Sequence, residues 1–406
     1  MMTPQSILRL MNVMTQKHPC RFPVLFALSA LLICVLNSCN QESGKEFSGT
    51  GKYKLEVTDS VTFDRLSQLS LLDYHAEKKE LLIYDSQLGE ILVINETGEL
   101  ISSFNPFVEG PLYMGDESFG WRFYGDNQIL GYGRVYFYLF NRGSDQVERY
   151  DYPTEVESWW LLDYDPKMIF TFPNQGQLET MAIIPGVAAP KFNSKAYQDS
   201  TKMIYTMNLA TGESRAVFRK PAHSVYRTLG KYIDRGWPLL AHGKDHYFAM
   251  TYSADSNVYI MDAIKDEVVN TIPLPGAHQP LYETVPFEAR GRPDLMKINS
   301  SMVSTGDAFV LRSLNVIPES VKRQIRATEE GRWWESDAYK EASRKYIKHQ
   351  SLLFNKEGYL GEVDSNIGKV NFDKISTDQG FFWMHRRYED ERDYHTFLKV
   401  QVVKTD

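Results

Sequence analysis

Apolar residues in this chain come in short runs separated by polar turn residues, and long helical periodicity is rare. The clearest stretch is Lys78–Phe104, KKELLIYDSQLGEILVINETGELISSF, with apolar runs at Leu81–Tyr84, Ile91–Ile94 and Leu100–Phe104. The first two are apolar at nearly every position, which predicts strands covered on both faces. The third carries Ser102 and Ser103 and suits an outer edge. Asn95–Glu99 makes the tightest turn, and Gly98 is free to take the positive φ that hairpin loops often need. A sheet dry in its middle and wet at its rim has the character of one β-propeller blade.

Self-similarity recurs about every sixty residues, which favours a repeat architecture over a single sandwich. The pattern predicts an all-β, six-bladed β-propeller, with seven blades the alternative count. The units are Leu69–Phe104, Trp121–Tyr152, Trp159–Phe218, Leu239–Ile272, Ile298–Val363 and Val370–Val403. The hairpin SLLFNKEGYLGEV of the fifth repeats the ILVINETGELISS pattern of the first. The last unit offers only three strands, and Lys52–Thr58 is left over at the other end of the chain. Pairing that N-terminal strand with the C-terminal one closes the ring and removes an exposed edge.

Strand parity then sorts the connections. Turns joining first to second and third to fourth strands share one face and are short. The other face receives Asn105–Gly120, Pro173–Lys202, Arg219–Trp237, Pro273–Lys297 and Asn315–His349. Long irregular loops are usually functional or disordered, so this face is the expected binding surface. Within it 315–349 reads as a helical insertion in the fifth blade, with Pro318 suited to a first helical position and Ser336 to a cap. It serves either as a cap on the rim or as a lid over a pocket.

The N-terminus changes the picture of where such a domain works. Lys17, His18 and Arg21 flank the apolar stretch Phe22–Leu36, which suits a signal peptide and is short for a membrane-spanning helix. Leu36-Asn37-Ser38-Cys39 resembles the lipobox of bacterial lipoproteins, in which the Cys becomes the lipidated first residue. The alternative is an ordinary signal peptide or anchor with a chance Cys. The expected organisation is a lipoprotein signal peptide over 1–38, a polar tether over 39–51 and the propeller domain over 52–406. Cys20 and Cys34 leave with the signal, so the remaining domain relies on its core without disulfides.

Removing Arg9, Lys17 and Arg21 takes the net charge from −7 to −10. An acidic body argues against nucleic acid and anionic membrane surfaces, leaving membrane attachment to the lipid. No His-x-His, HExxH, EF-hand, nucleotide glycine loop or nucleophile elbow appears, so no metal, cofactor or catalytic residue is assigned. The candidate ligand contacts are His223, Tyr226, Arg227, Arg235 and Trp237 in one long loop, His278, Arg290 and Arg292 in the next, and Arg386 at a strand end on the same face. Converging Arg and His suit a carboxylate, sulfate or phosphate, and the aromatics among them suit a sugar. The alternative is a solvated rim whose cations pair with neighbouring acids. Tyr84-Asp85, Tyr164-Asp165 and Met261-Asp262 read as strand-end turn caps.

The lipobox, the acidic body and repeats of the LLIYD…ILVINETGELISSF kind together resemble the six-bladed propeller lipoproteins of Gram-negative envelopes, in particular the family named only as domain of unknown function 4221. The resemblance covers most of the chain after residue 38 and brings no catalytic residues to carry over. It implies an outer-membrane lipoprotein, facing the periplasm or the cell surface, that binds a partner protein or an envelope or nutrient ligand on its long-loop face. The alternative is a propeller hydrolase or lyase acting on carbohydrate or peptide.

Overall fold

Short dry runs punctuated by turns cannot pack alone, and the chain stacks them as meanders. The computed structural model describes residues 51–115, 118–133, 136–152, 168–184, 191–234, 236–290, 293–329, 331–367, 370–377, 379–386, 388, 390 and 392–405, all within one unit, Gly49–Asp406. After β1 (Gly51–Asp64) comes a first meander, β2 (Leu69–His75), β3 (Glu80–Asp85), β4 (Glu90–Asn95) and β5 (Leu100–Phe104). The second is β6 (Ser118–Tyr124), β7 (Gln128–Gly133), β8 (Tyr136–Asn141) and β9 (Val147–Asp151). The third is β10 (Ile169–Asn174), β11 (Gln177–Ile183), β12 (Lys202–Met207) and β13 (Ser214–Arg219), with the short helix α1 (Lys195–Ser200) before β12. Helix α2 (Val225–Thr228) leads to the fourth, β14 (Pro238–His242), β15 (Tyr247–Tyr252), β16 (Asn257–Asp262) and β17 (Glu267–Pro273).

The remaining strands are β18 (Leu281–Tyr282), β19 (Leu295–Ser304), β20 (Ala308–Asn315), β21 (His349–Asn355), β22 (Tyr359–Asp364), β23 (Val370–Ser376), β24 (Phe382–Arg386) and β25 (Tyr394–Thr405). With β1 they form a nine-stranded sheet of order β18-β19-β20-β21-β22-β1-β25-β24-β23. Helices α3 (Glu319–Thr328) and α4 (Asp337–Tyr346) stand between β20 and β21. Pro318 takes the cap position of α3 rather than its first turn, and Ser336 Oγ caps α4 by accepting the Tyr339 N–H at 3.2 Å.

Apolar layers fill the gaps between successive sheets. Leu72, Leu82, Val93, Trp121 and Phe140 pack between the first and second meanders. Leu130, Phe137 and Ala182 follow between the second and third, and Phe172, Met181, Phe248 and Tyr259 between the third and fourth. Ala249, Ile260, Leu311 and Phe354 join the fourth to β20 and β21; Val310, Leu353, Phe382 and Val400 lead on to β24 and β25. Val61, Leu71, Ile83, Trp383 and Phe397 return to the first meander. Each buried Leu, Ile or Phe in these layers contributes about 1.5–3 kcal/mol. The result is a propeller-like all-β fold. Its first strands neighbour one another around the centre, β2 beside β6 and β23, β6 beside β10, and β19 beside β14 and β23.

Turn chemistry follows the sequence closely. Asn95 Oδ1 accepts the N–H groups of Thr97 and Glu99 at 3.0 and 2.9 Å, and Asn355 Oδ1 accepts those of Glu357 and Gly358 at 3.1 and 2.9 Å. Gly98 sits at φ 83°, where any Cβ would stand 2.1 Å from the Thr62 carbonyl. Asp85 and Asp262 cap the turns after β3 and β16 through Gln87, Leu88, Ile264 and Lys265 N–H groups; Asp165 lies outside the described residues. β1 and β25 pair antiparallel from Lys52↔Thr405 to Asp64↔Tyr394, with a register shift between Val57 and Asp59. A parallel seam from Gly51↔Gly361 to Lys54↔Asp364 joins β1 to β22.

The third meander departs from the sequence reading. Pro173–Lys202 is not one long loop: Asn174↔Gln177 closes a hairpin, and Gln177–Ile183 is a strand paired to both neighbours. Gln177, Glu179 and Thr180 break its apolar pattern and made it resemble a connection. Residues 169–174 are therefore the first strand of that sheet. Trp159 and Trp160, at the start of the third unit, lie outside the described residues.

Candidate functional site

The first strands of the sheets end around a central cavity of about 410 Å³. Its wall includes Asp73 and His75 at the end of β2, Arg122 and Phe123 of β6, Phe170 of β10 and His242 of β14. A register shift between Leu71 and Asp73 sets this up. Such an irregularity re-aims side chains: Leu72 goes into the apolar layer, and Asp73 turns to the cavity.

Arg122 ties three first strands together. Its Nε donates to the Ile169 carbonyl at 2.8 Å, its Nη1 donates to the Leu72 carbonyl, and Nη1 stands 3.6 Å from Asp73 Oδ1. Its guanidinium lies over the Phe170 ring, 5.4 Å from the centroid. Asp73 Oδ2 accepts the Phe123 N–H at 2.8 Å. Burial raises the Asp73 carboxyl above the usual range, while Arg122 and the backbone N–H groups pull it back.

Two histidines complete the wall. His75 Nδ1 accepts the Lys78 N–H at 3.3 Å, so its Nε2 carries the proton toward Asp126 Oδ1, 3.7 Å away. His242 Nε2 donates to the Asp245 carbonyl at 2.8 Å, and its ring stacks on Phe248 at 4.6 Å. Glu77, Asp126 and Asp245 are exposed acids at the mouth. Among the described residues no group of His, Cys, Asp and Glu is placed to hold a metal ion. His246 stands apart from His242 and faces Asp262 at 3.5 Å.

In an antiparallel meander, first-to-second and second-to-third turns lie at opposite ends of the sheet. The cavity therefore lies at the short-turn end, opposite the long connections. At the long-loop end, Tyr226 is buried and shares one core with Trp237. Arg227 Nη1 donates to the Lys220 carbonyl at 3.0 Å. His278 Nε2 donates to Glu362 Oε1 at 2.9 Å, and its Nδ1 faces Gln350 Oε1 at 3.3 Å. His223, Arg290 and Arg386 are exposed, the last with its guanidinium over the Tyr388 ring at 5.2 Å. Cys39, Arg235 and Arg292 lie outside the described residues.

The long connections also hold one another. Tyr232 and Val285 exchange backbone hydrogen bonds of 2.8 and 3.2 Å, and Glu288 N–H donates to the Asn193 carbonyl at 3.0 Å. Beneath them Asp255 is fully buried, with Tyr259 O–H donating to Oδ2 at 3.0 Å and no partner on Oδ1. Burial pushes its carboxyl up to about 6, and Ser224, Tyr259 and Asn257 beside it pull the other way.

The sequence reading passed over Asp73, His75 and Arg122. A signal was present in each case: Arg122 interrupts the apolar Trp121–Phe123 run, and Asp73-Tyr74-His75 ends an otherwise dry strand.

No family model matches the chain, and no curated protein matches it. Among solved structures, a member of the DUF4221 family from Bacteroides vulgatus is similar, with a TM-score of 0.61 at 10% identity over 88% of this chain and 100% of that one. The likeness bears on the fold alone and agrees with the resemblance carried by the repeated hairpins. A streptogramin B lyase structure covers 86% of this chain and 98% of its own at 9% identity, but its TM-score of 0.37 carries no argument.

Proposed function

We propose that this chain is an envelope-anchored binding protein whose six-bladed propeller holds a small polar ligand in the central cavity. On this reading the nine-stranded sheet divides at the β1–β22 seam into two blades. Residues 1–38 act as signal peptide, 39–51 as tether and 52–406 as propeller, with 315–349 an insertion. Lipid on Cys39 supplies the membrane attachment, in the outer membrane of a Gram-negative cell. No helix among the described residues is long and apolar enough to cross a membrane. Replacing Cys39 with Ala is expected to move the protein from the membrane fraction to the soluble one; retention in the membrane fraction counts against the tether.

The observation that carries the ligand reading is the cavity itself. Its volume falls within the range of small-molecule sites, and the Arg122–Asp73 pair fixes its wall. His75 and His242 add ring nitrogens and aromatic faces. The acids at the mouth favour a ligand with positive charge or several hydroxyls. Titration calorimetry with polyols, amines and amino sugars tests this. His75→Ala and Asp126→Asn should each weaken the ligand found by about tenfold without lowering Tm. Affinity indifferent to both variants sinks the assignment.

The long-loop face remains our reading for a protein partner, through exposed His223, Arg290 and Arg386. The double variant Arg290→Ala, Arg386→Ala should lose a co-purified partner and keep cavity binding. One observation favours a hydrolase or lyase instead: a carboxyl raised by burial, Asp73, shares the cavity with His75. Product formed by the wild type and not by His75→Ala would decide for the enzyme.

A further inference from the structure

The wall of the central cavity differs from one meander to the next. Three short turns each bring an exposed acid to its mouth: Glu77 after β2, Asp126 between β6 and β7, and Asp245 between β14 and β15. The matching turn of the third meander, 174–177, carries no charged residue. There the register pair Pro173↔Leu178 lines the cavity, with Phe170 on the same strand as Pro173. Tyr124 O–H donates to the Leu178 carbonyl at 3.1 Å and holds this hairpin against the second meander. The first, second and fourth meanders thus supply anions, and the third supplies an apolar surface.

The donors in this wall are directed at protein acceptors. Arg122 serves the Ile169 and Leu72 carbonyls and stands beside Asp73. His75 Nε2 points at Asp126, and His242 Nε2 donates to the Asp245 carbonyl. Tyr74 O–H donates to Glu96 Oε1 at 2.7 Å, and Thr377 Oγ donates to the Phe381 carbonyl. Of the lysines on these turns, Lys78 gives its Nζ to the Asp126 carbonyl and to Asn127 Oδ1, and exposed Lys79 and Lys244 do not line the cavity. What remains open is dominated by carboxylate oxygens, which only accept. A concave wall focuses their field on whatever enters.

We propose that the ligand of the central cavity is an amphiphilic organic ammonium, with its charged end among Glu77, Asp126 and Asp245 and its apolar arm on Pro173, Leu178 and Phe170. The inference rests on the reading of this cavity as a ligand site and narrows it. An ammonium is all donors and meets open acceptors, whereas a polyol brings lone pairs that find few hydrogens here and has no arm for the third meander. Among the described residues no group of His, Cys, Asp and Glu is placed to hold a metal ion. Acids spread over three meanders suit instead a cation with several N–H donors and a body. A cavity of about 410 Å³ admits an arylalkylamine.

Titration calorimetry of the purified full chain tests it with phenethylamine, 2-phenylethanol and phenylacetate, which share one arm and differ in charge, and with methylammonium and sorbitol. Phenethylamine should bind tightest and weaken as salt rises. 2-Phenylethanol and methylammonium should each bind about tenfold more weakly, and phenylacetate more weakly still. The triple variant Glu77→Gln, Asp126→Asn, Asp245→Asn changes only exposed side chains and should bind the amine no better than the alcohol. Leu178→Asn should weaken phenethylamine and leave methylammonium as it was. Sorbitol or the alcohol binding as tightly as phenethylamine, or amine binding that survives the triple variant, overturns the ammonium and leaves the cavity a ligand site. Methylammonium equal to phenethylamine overturns the apolar arm. No binding heat from any of the five probes overturns the cavity reading together with the inference.

Discussion

Arg122 and Lys220 are both cations buried in one β fold, and the protein treats them in opposite ways. Arg122 spends its donors on two carbonyls of neighbouring strands and on the Asp73 carboxylate. Lys220 meets three tyrosine rings, and among the described residues its Nζ has no hydrogen-bond partner. A planar fork can satisfy several fixed acceptors at once, and a flexible ammonium is easier to leave unmatched. The first arrangement holds strands together. The second leaves capacity in reserve, and the fully buried Asp255 with its unpartnered Oδ1 belongs to the same end of the molecule.

The largest expected effect comes from breaking the satisfied cation. Arg122→Met leaves two carbonyls without their side-chain donor and Asp73 without its cation, and should cost about 3–5 kcal/mol in urea unfolding. A loss below about 1 kcal/mol, the worth of a surface pair, would remove Arg122 from its role as the tie between first strands.

The unmatched groups should respond to pH, and with opposite slopes. Asp255 has a folded pKa raised to about 6, so its contribution is complete below the unfolded value and is lost as pH rises through about 6. Asp255→Asn should therefore gain on the wild type by roughly 3 kcal/mol between about pH 4 and pH 7. Lys220 has a folded pKa lowered to about 8, so its contribution is complete above the unfolded value and is lost as pH falls through about 8. Lys220→Met should then be the more stable protein at neutral pH, by about 1–2 kcal/mol once the ring contacts are set against burial. That advantage should close toward alkaline pH. Urea midpoints for both variants across the range would expose a wrong sign in either.

Much of the architecture was legible because it is local. The dry runs of β3 and β4, the wetter β5, the Asn-led turns and the Asp caps each follow from neighbouring residues. The strand Gln177–Ile183 was not, because burying Thr180 inside a sheet is decided by the sheets on either side. The cavity was harder still. Asp73, Arg122, Phe170 and His242 belong to separate meanders, and only the closing of the fold brings them together. The Lys220 cage gathers Tyr197, Tyr226 and Tyr252 in the same manner. The long-loop candidates shared a face by strand parity, but parity says nothing about contact. Tyr226 and Trp237 went into the core, while His223, Arg290 and Arg386 stayed exposed.

The pairing of β1 with β25 has a kinetic consequence. Beyond its four-residue seam with β22, the first described strand finds its long partner only in β25, so the growing chain carries an open sheet edge until β25 is made. Contacts spanning nearly the whole sequence form slowly, and an unsealed edge recruits foreign strands. Nascent chains cut short before β25 should thus be captured by chaperones or aggregate, even with every earlier meander intact.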